Sequence, residues 1–162
     1  MIIEKLDRDT PREYVELLPS FYRVEIQGLH EHYTTEEMQE ILRARDLDYF
    51  RRLAANREPR RSVLLAIGVY SNLEGVLEAS RYTDSNLQIG DVLWVLAKSK
   101  GHGIGTRLLQ EYISRARSED CDIVGLTVKG TNTKAIELYQ RLGFNHAKDL
   151  DKDRKVYGLR LK

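Results

Sequence analysis

Gly101, Gly103 and Gly105 stand in the stretch "SKGHGIGTRLL", just before a run with helical apolar spacing. A helix start leaves backbone N–H groups unpaired and carries partial positive charge, so a loop without side chains there can hold an anion. The same glycines can serve only as a tight strand-to-helix turn, and taken alone they leave both readings open. Two other phosphate motifs do not fit. A Walker loop ends in Gly-Lys-Ser/Thr, whereas Thr106 and Arg107 follow Gly105; the dinucleotide fingerprint needs a third glycine where Thr106 stands, and it belongs in the first strand–helix unit. His30 and His32 have no third ligand nearby in sequence, so they read as polar surface and no metal is expected. Arg51, Arg52, Arg57, Arg60 and Arg61 could gather phosphate, but cations at a helix C-terminus also complement its dipole.

These residues sit in a chain of 162 amino acids, 41% hydrophobic and 31% charged, with a formal charge of +1. That is the composition of one domain, residues 1–162, able to bury a core. The near-neutral balance gives no global argument for nucleic acid or an anionic membrane. Cys121 is the single cysteine, which excludes an internal disulfide and suits a reducing, cytoplasmic setting. No window approaches the roughly 20 apolar residues of a membrane span.

The elements follow from periodicity. Ile2–Leu6 reads as a strand, and Thr10, Pro11 and Glu13 read as the capping box of a helix with Tyr14, Val15, Leu18, Phe21 and Tyr22 inward. Thr34 and Glu37 suggest a second box, opening one helix through "TTEEMQEILRARDLDYFRRLAA" with Met38, Ile41, Leu42, Tyr49 and Leu53 inward. "SVLLAIGVY", "LEGVLEASRY" and "LQIGDVLWVLA" are three antiparallel strands joined by turn residues. A helix with Leu108, Leu109, Tyr112, Ile113 and Ala116 inward then leads to the strand "CDIVGLTVK" as a right-handed parallel crossover. A short helix with Ala135, Ile136, Tyr139 and Leu142 inward ends at Gly143, and two strands close the chain.

Two segments carry a family resemblance. "VLAKSKGHGIGTRLL" resembles the acetyl-coenzyme A binding segment of the GCN5-related N-acetyltransferases, Arg/Gln-x-x-Gly-x-Gly/Ala, with Lys100, Gly103 and Gly105 at those positions. "NTKAIELYQRLGF" resembles the second signature of the same family through Asn132, Ala135, Leu138, Tyr139, Gly143 and Phe144. The pair, in this order and spacing, is more specific than either motif alone.

The resemblance implies an α/β fold with a mixed sheet of about seven strands, about four helices, and fourth and fifth strands that are parallel and splayed. It implies an acetyl-CoA-dependent N-acetyltransferase acting by direct transfer in a ternary complex on a primary amine of a small molecule or peptide. Backbone groups from Gly101 through His102, Gly103, Ile104 and Gly105 to Thr106 would cradle the pyrophosphate, with Lys100 beside it. The pantetheine arm would pair with Val95 and Leu96 on one side and meet Asn132 and Ala135 on the other. An N–H of a bulged fourth strand near Val95 would receive the oxyanion. Tyr139 falls on the tyrosine that protonates the leaving thiolate, although its spacing also suits a core residue. Glu78 and Asp91, on the central strands, are candidate bases, each otherwise a solvated strand residue. The acceptor wall is expected in "QGLHEHYTTEEMQE", where Glu31, Glu36, Glu37 and Glu40 suit a cationic amine or simply a solvated helix start. The chain departs from the pattern at Leu96-Ala97, where Asp-Pro is frequent, and at Lys100, a point charge in place of a fork. Holding an ammonium of pKa about 10.4 neutral at pH 7 costs about 4–5 kcal/mol, which a base or a desolvating pocket must offset. No nucleic-acid or membrane partner is expected, and a homodimer is compatible with everything above. Two rival readings stand: a non-catalytic acyl-CoA-binding sensor, and a nucleic-acid-binding module built on the Arg51–Arg61 cluster.

Overall fold

A computed structural model describes all 162 residues. In chain order the elements are β1 (Ile2–Lys5), α1 (Arg12–Gln27), α2 (Thr35–Arg43), α3 (Leu47–Ala54), β2 (Arg61–Ile67), β3 (Leu73–Asp84), β4 (Leu87–Ala97), α4 (Ile104–Ser118), β5 (Ile123–Lys129), α5 (Thr133–Arg141), β6 (Asn145–Asp149) and β7 (Arg154–Arg160). One seven-stranded sheet runs β1-β2-β3-β4-β5-β7-β6, antiparallel except for the β4–β5 pair.

Strand alternation sends side chains to two cores, one on each face of the sheet. Leu77, Ala79 and Val92 join Leu108, Leu109, Tyr112, Ile113 and Ala116 of α4 on one face, with α5 packed at its edge through Ala135, Ile136, Tyr139 and Leu142. On the other face Val63, Leu65, Val76 and Leu96 meet Tyr14, Val15, Leu18 and Tyr22 of α1 and Phe50 and Leu53 of α3. Each fully buried side chain of this size stabilises the fold by about 1.5–3 kcal/mol. The β3–β4 hairpin turns on Ser85 and Asn86, both at positive φ, as a two-residue connection requires.

Three local expectations change. There are five helices, because the helix expected to continue from Thr34 breaks at Ala44–Asp46, where the Asp46 carboxylate accepts from Tyr49 N at 2.7 Å and starts α3 afresh. The capping box at Thr34 and Glu37 forms, but the one at Thr10 does not: the Thr10 hydroxyl accepts from Asp7 N at 2.9 Å in the preceding turn, and Pro11 takes the cap position. The bulge in β4 lies at Leu93, between Val92 and Trp94, two residues earlier than Val95.

Candidate active site

The bulge marks the place where the sheet opens. β4 and β5 are in register from Ile89–Ile123 to Val92–Leu126 and no further, although β4 continues to Ala97 and β5 to Lys129. From Trp94 onward the β4 edge that faces β5 therefore has no strand partner, and its backbone groups are available to something lying in the slot. Val95 and Leu96 stand on this free stretch, still paired to β3 on their other side at Leu77 and Val76.

α4 starts at the mouth of the slot. Gly103 is its N-cap at φ +76, and Gly101 precedes it at φ +84, both left-handed conformations that L side chains avoid. A Cβ at either glycine would meet nothing within 4 Å, so the loop surface is open. The first turn of α4 carries no acidic residue that would compete for its N–H groups. Ile104 is buried, while Gly105 and Thr106 are half-buried. Gly105 differs from the other two glycines: its α-carbon faces Val95 and Leu138, whose side chains would lie 3.5 and 3.9 Å from a Cβ, so it brings α4 close to β4 and α5. The His102 ring bonds the Lys100 carbonyl at 3.1 Å and both side chains are exposed. Burial raises the carboxyl of Glu25 in α1, and the charges of Lys100 and Lys98 oppose that shift.

Across the slot Asn132 caps α5, its side-chain oxygen accepting from Ala135 N at 3.3 Å. Two turns on, Tyr139 packs its ring 6.0 Å from Phe144 and leaves its hydroxyl without a hydrogen-bond partner. Burial, helped by nearby Tyr33, pushes this phenol up to about 12, so it holds its proton at neutral pH. Tyr139 is thus both packed, as its spacing requires, and chemically free.

The α1–α3 side of the slot is walled by aromatic and charged groups. Tyr33 lies 5.8 Å from Trp94, Lys129 sits 5.3 Å over the Tyr33 ring, and the His32 ring bonds Thr131 Oγ1 at 3.1 Å. Of the four glutamates expected on this wall, Glu37 is consumed: it completes the Thr34 capping box and accepts from Lys129 Nζ at 2.7 Å, which hold its carboxyl below the usual range. Glu31, Glu36 and Glu40 point to solvent. His30 bonds only the Gln27 carbonyl, and no group of His, Cys, Asp or Glu is arranged to hold a metal ion.

The two candidate bases have opposite environments. Glu78 is neither solvated nor free. It is fully buried, and its carboxylate accepts from Tyr22 Oη (3.0 Å), Arg45 Nε and Nη2 (2.8 and 3.3 Å), Tyr49 Oη (2.6 Å) and Arg61 Nη1 (3.3 Å). Burial and the Glu78 charge push both tyrosines well up. Burial pulls Arg45 down, but the charge and hydrogen bonds of Glu78, together with Tyr22 and Tyr49, hold the guanidinium above its usual range. Arg45 also lies between the rings of Tyr22 and Trp94, at 5.7 and 5.6 Å, so the network reaches the aromatic wall. Asp91 is half-buried with no bonding partner; burial pushes its carboxyl up to about 6, and Arg61 opposes the shift.

The arginine cluster is mostly neutralised. Arg51 faces Glu16 and Asp48, Arg52 faces Glu58, and Arg61 serves Glu78, so three of the five guanidiniums of the expected cluster already have carboxylate partners. Sequence reasoning placed Tyr22 and Tyr49 only as inward helix residues and did not find Arg45, Trp94 or Lys129; the one available signal was Asp46, a good cap residue in the middle of a helical pattern.

The structure thus sets a bare helix start beside an opening between two strands, next to α5 with its protonated Tyr139. The acetyltransferase (GNAT) family model matches residues 18–144, and the chain belongs to that family. It is 31% identical over 98 residues to thialysine N-epsilon-acetyltransferase of Sus scrofa, covering 60% of this chain and 52% of that protein. The chain spans about half the length of the curated relatives it matches. Its fold is shared with PaiA N-acetyltransferase of Thermoplasma acidophilum, solved in complex with coenzyme A (TM-score 0.72, 18% identity, 99% of each chain), and with the NatC complex bound to Gag peptide and CoA (TM-score 0.68, 19% identity, 100% of each chain).

Proposed function

We propose that the protein transfers an acetyl group from acetyl-CoA to a primary amine of a small molecule or peptide by direct attack in a ternary complex. The observation that carries this reading is the unpaired stretch of β4 opening between the bare α4 start and the proton-bearing hydroxyl of Tyr139. The residues fit the donor. N–H groups from Gly101 to Thr106 would hold its pyrophosphate, each contact contributing about 0.3–1 kcal/mol, and Val95, Leu96, Asn132 and Ala135 would flank its arm. Acetyl-CoA supplies an activated acyl thioester. Tyr139 holds a proton at Oη for the departing sulfur, and burial keeps that proton in place until it is needed. The unpaired β4 backbone beyond Leu93 offers donors to negative charge on the carbonyl oxygen. Glu78 is fully committed to four side chains, so the proton of the amine leaves through the open face of the slot to solvent. The relatives support an amine acceptor by name, thialysine for one and a bound peptide for another. The lone Cys121 suits a cytoplasmic setting.

A thiol-release assay with acetyl-CoA across amino acids, diamines, aminoglycosides and peptides tests the reading. Turnover of at least one amine class is expected, with kcat reduced about 100-fold or more in Tyr139→Phe while the affinity for acetyl-CoA is kept. Cofactor binding without turnover of any amine would leave the chain an acyl-CoA sensor.

A further inference from the structure

Asp91 belongs to a row that crosses the sheet in register: Arg61 of β2, Ser80 of β3, Asp91 of β4, Gly125 of β5, Gly158 of β7 and Asn145 of β6. On the α1–α3 face the two adjacent glycines leave a trough floored by backbone. The Asp91 carboxylate reaches to 3.8 Å from where a Gly125 side chain would begin, and Ile89 and Ile123 form one bank, 4.0 and 3.9 Å from the vacant positions of Gly125 and Gly158. The core on this face draws its strand residues from β2, β3 and β4, with none from β5, β6 or β7, so no helix covers the trough. Glycine inside a strand weakens it and marks a close approach. Two in one row, beside a half-buried carboxylate that the fold leaves unpaired, make a place for something charged and slender.

The sign of that charge follows from what faces Asp91. Arg61 stands beyond Ser80, but its guanidinium is engaged by Glu78, and Tyr82 of β3 is the neighbouring phenol. Arg160 stands on the same face at the register of Ile123, and the buried Tyr112 approaches from the opposite face. Burial pushes the Asp91 carboxyl up to about 6, so near pH 7 it carries a negative charge that no neighbour fully compensates. A cation entering the trough would relieve that cost. Asp91 precedes the bulge at Leu93, where the slot opens, by two strand residues, about 7 Å. That is too far for direct proton transfer from an amine at the slot, and about the span of an extended five-carbon diamine.

Resting on the acetyl-transfer reading above, we propose that Asp91 and the Gly125–Gly158 trough form a subsite for a second cationic group of the acceptor, so that preferred acceptors carry a distal ammonium about 7 Å from the amine acetylated.

The test compares cadaverine with pentylamine in the thiol-release assay, and measures cadaverine binding by calorimetry on the protein saturated with CoA. Wild type is expected to favour cadaverine at least tenfold in kcat/KM, mainly through KM, and to lose this advantage below about pH 6 as Asp91 takes up its proton. Asp91→Asn should bring the ratio of the two amines close to one and remove the calorimetric signal. No cadaverine advantage in wild type would overturn the proposal. So would an equal fall of kcat for both amines in Asp91→Asn, which would make the carboxylate a base. If neither amine is turned over, the acetyl-transfer reading fails for this acceptor class and calorimetry decides the subsite: cadaverine binding lost in Asp91→Asn supports it, and absence of binding to wild type overturns it.

Discussion

Replacing Glu78 with Gln removes one negative charge from a site with no solvent of its own and leaves its donors in place. The two arginines respond differently. The side chain of Arg61 is 38% exposed and can turn to water, whereas that of Arg45 is 11% exposed, boxed in by Tyr22 and Trp94. The cost therefore falls on Arg45, and breaking one side of such a buried pair is worth about 3–5 kcal/mol. The amide adds to it, because its NH2 group would face donors, Tyr49 Oη and Arg45 Nη2 or Tyr22 Oη and Arg45 Nε, instead of accepting from them. Set against a total stability of about 5–15 kcal/mol, Glu78→Gln should unfold near one third to one half of the way down the wild-type urea range, a midpoint shift of about 2 M for a slope of about 2 kcal/mol/M. Urea titration followed by circular dichroism measures it, and the fluorescence of Trp94, the only tryptophan, reports whether the wall shifts with the network. The double variant Glu78→Leu with Arg45→Met should lose less than Glu78→Gln alone, since it strands no charge in the interior. A Glu78→Gln protein of unchanged stability, but with kcat reduced and its pH profile flattened, would refute the reasoning and make Glu78 the base.

Gly103→Asp should fold, because a Cβ there meets nothing within 4 Å and the left-handed backbone costs Asp or Asn only about 1 kcal/mol; its charge, however, would sit where the pyrophosphate is expected. Acetyl-CoA affinity should fall at least tenfold in Gly103→Asp and only a few-fold in Gly103→Asn, measured by calorimetry; equal losses would mean that the site is not anion-receptive backbone. Asp91→Asn should be more stable than wild type by roughly 1–2 kcal/mol at pH 7 in urea titrations. The folded carboxyl titrates near 6 and the unfolded one near 4, so wild-type stability falls as pH rises through that window, and the gain of the variant should vanish below about pH 4.

What could be read from the sequence divides along the reach of the interactions. The α4 face from Leu108 to Ala116, the parallel crossover into β5 and the order of the strands rest on periodicity and on short connections, and all are present. Gly101 and Gly103 were legible as positions needing a bare backbone, and their positive φ gives the reason, while Gly105 has a different one, close packing on Val95 and Leu138. Thr10 and Thr34 illustrate the limit of local motifs: both precede a glutamate by three residues, but a turn at Asp7 takes the Thr10 hydroxyl before the helix can use it. The helix break had a local signal in the Asp46 cap, but the role of Arg45 beside it was hidden because its partner lies 33 residues away, in a carboxylate whose own strand looks like ordinary alternation. Glu78 and Asp91, alike on paper, are separated by which groups the first helices bring over them. α1 and α3 contribute Tyr22 and Tyr49, and the link between α2 and α3 contributes Arg45, all to Glu78; nothing is laid over the row from Asp91 to Gly158. The same helices that engage one carboxylate therefore leave the other half-buried and without a partner, so the difference between the two is set by that coverage rather than by residue type.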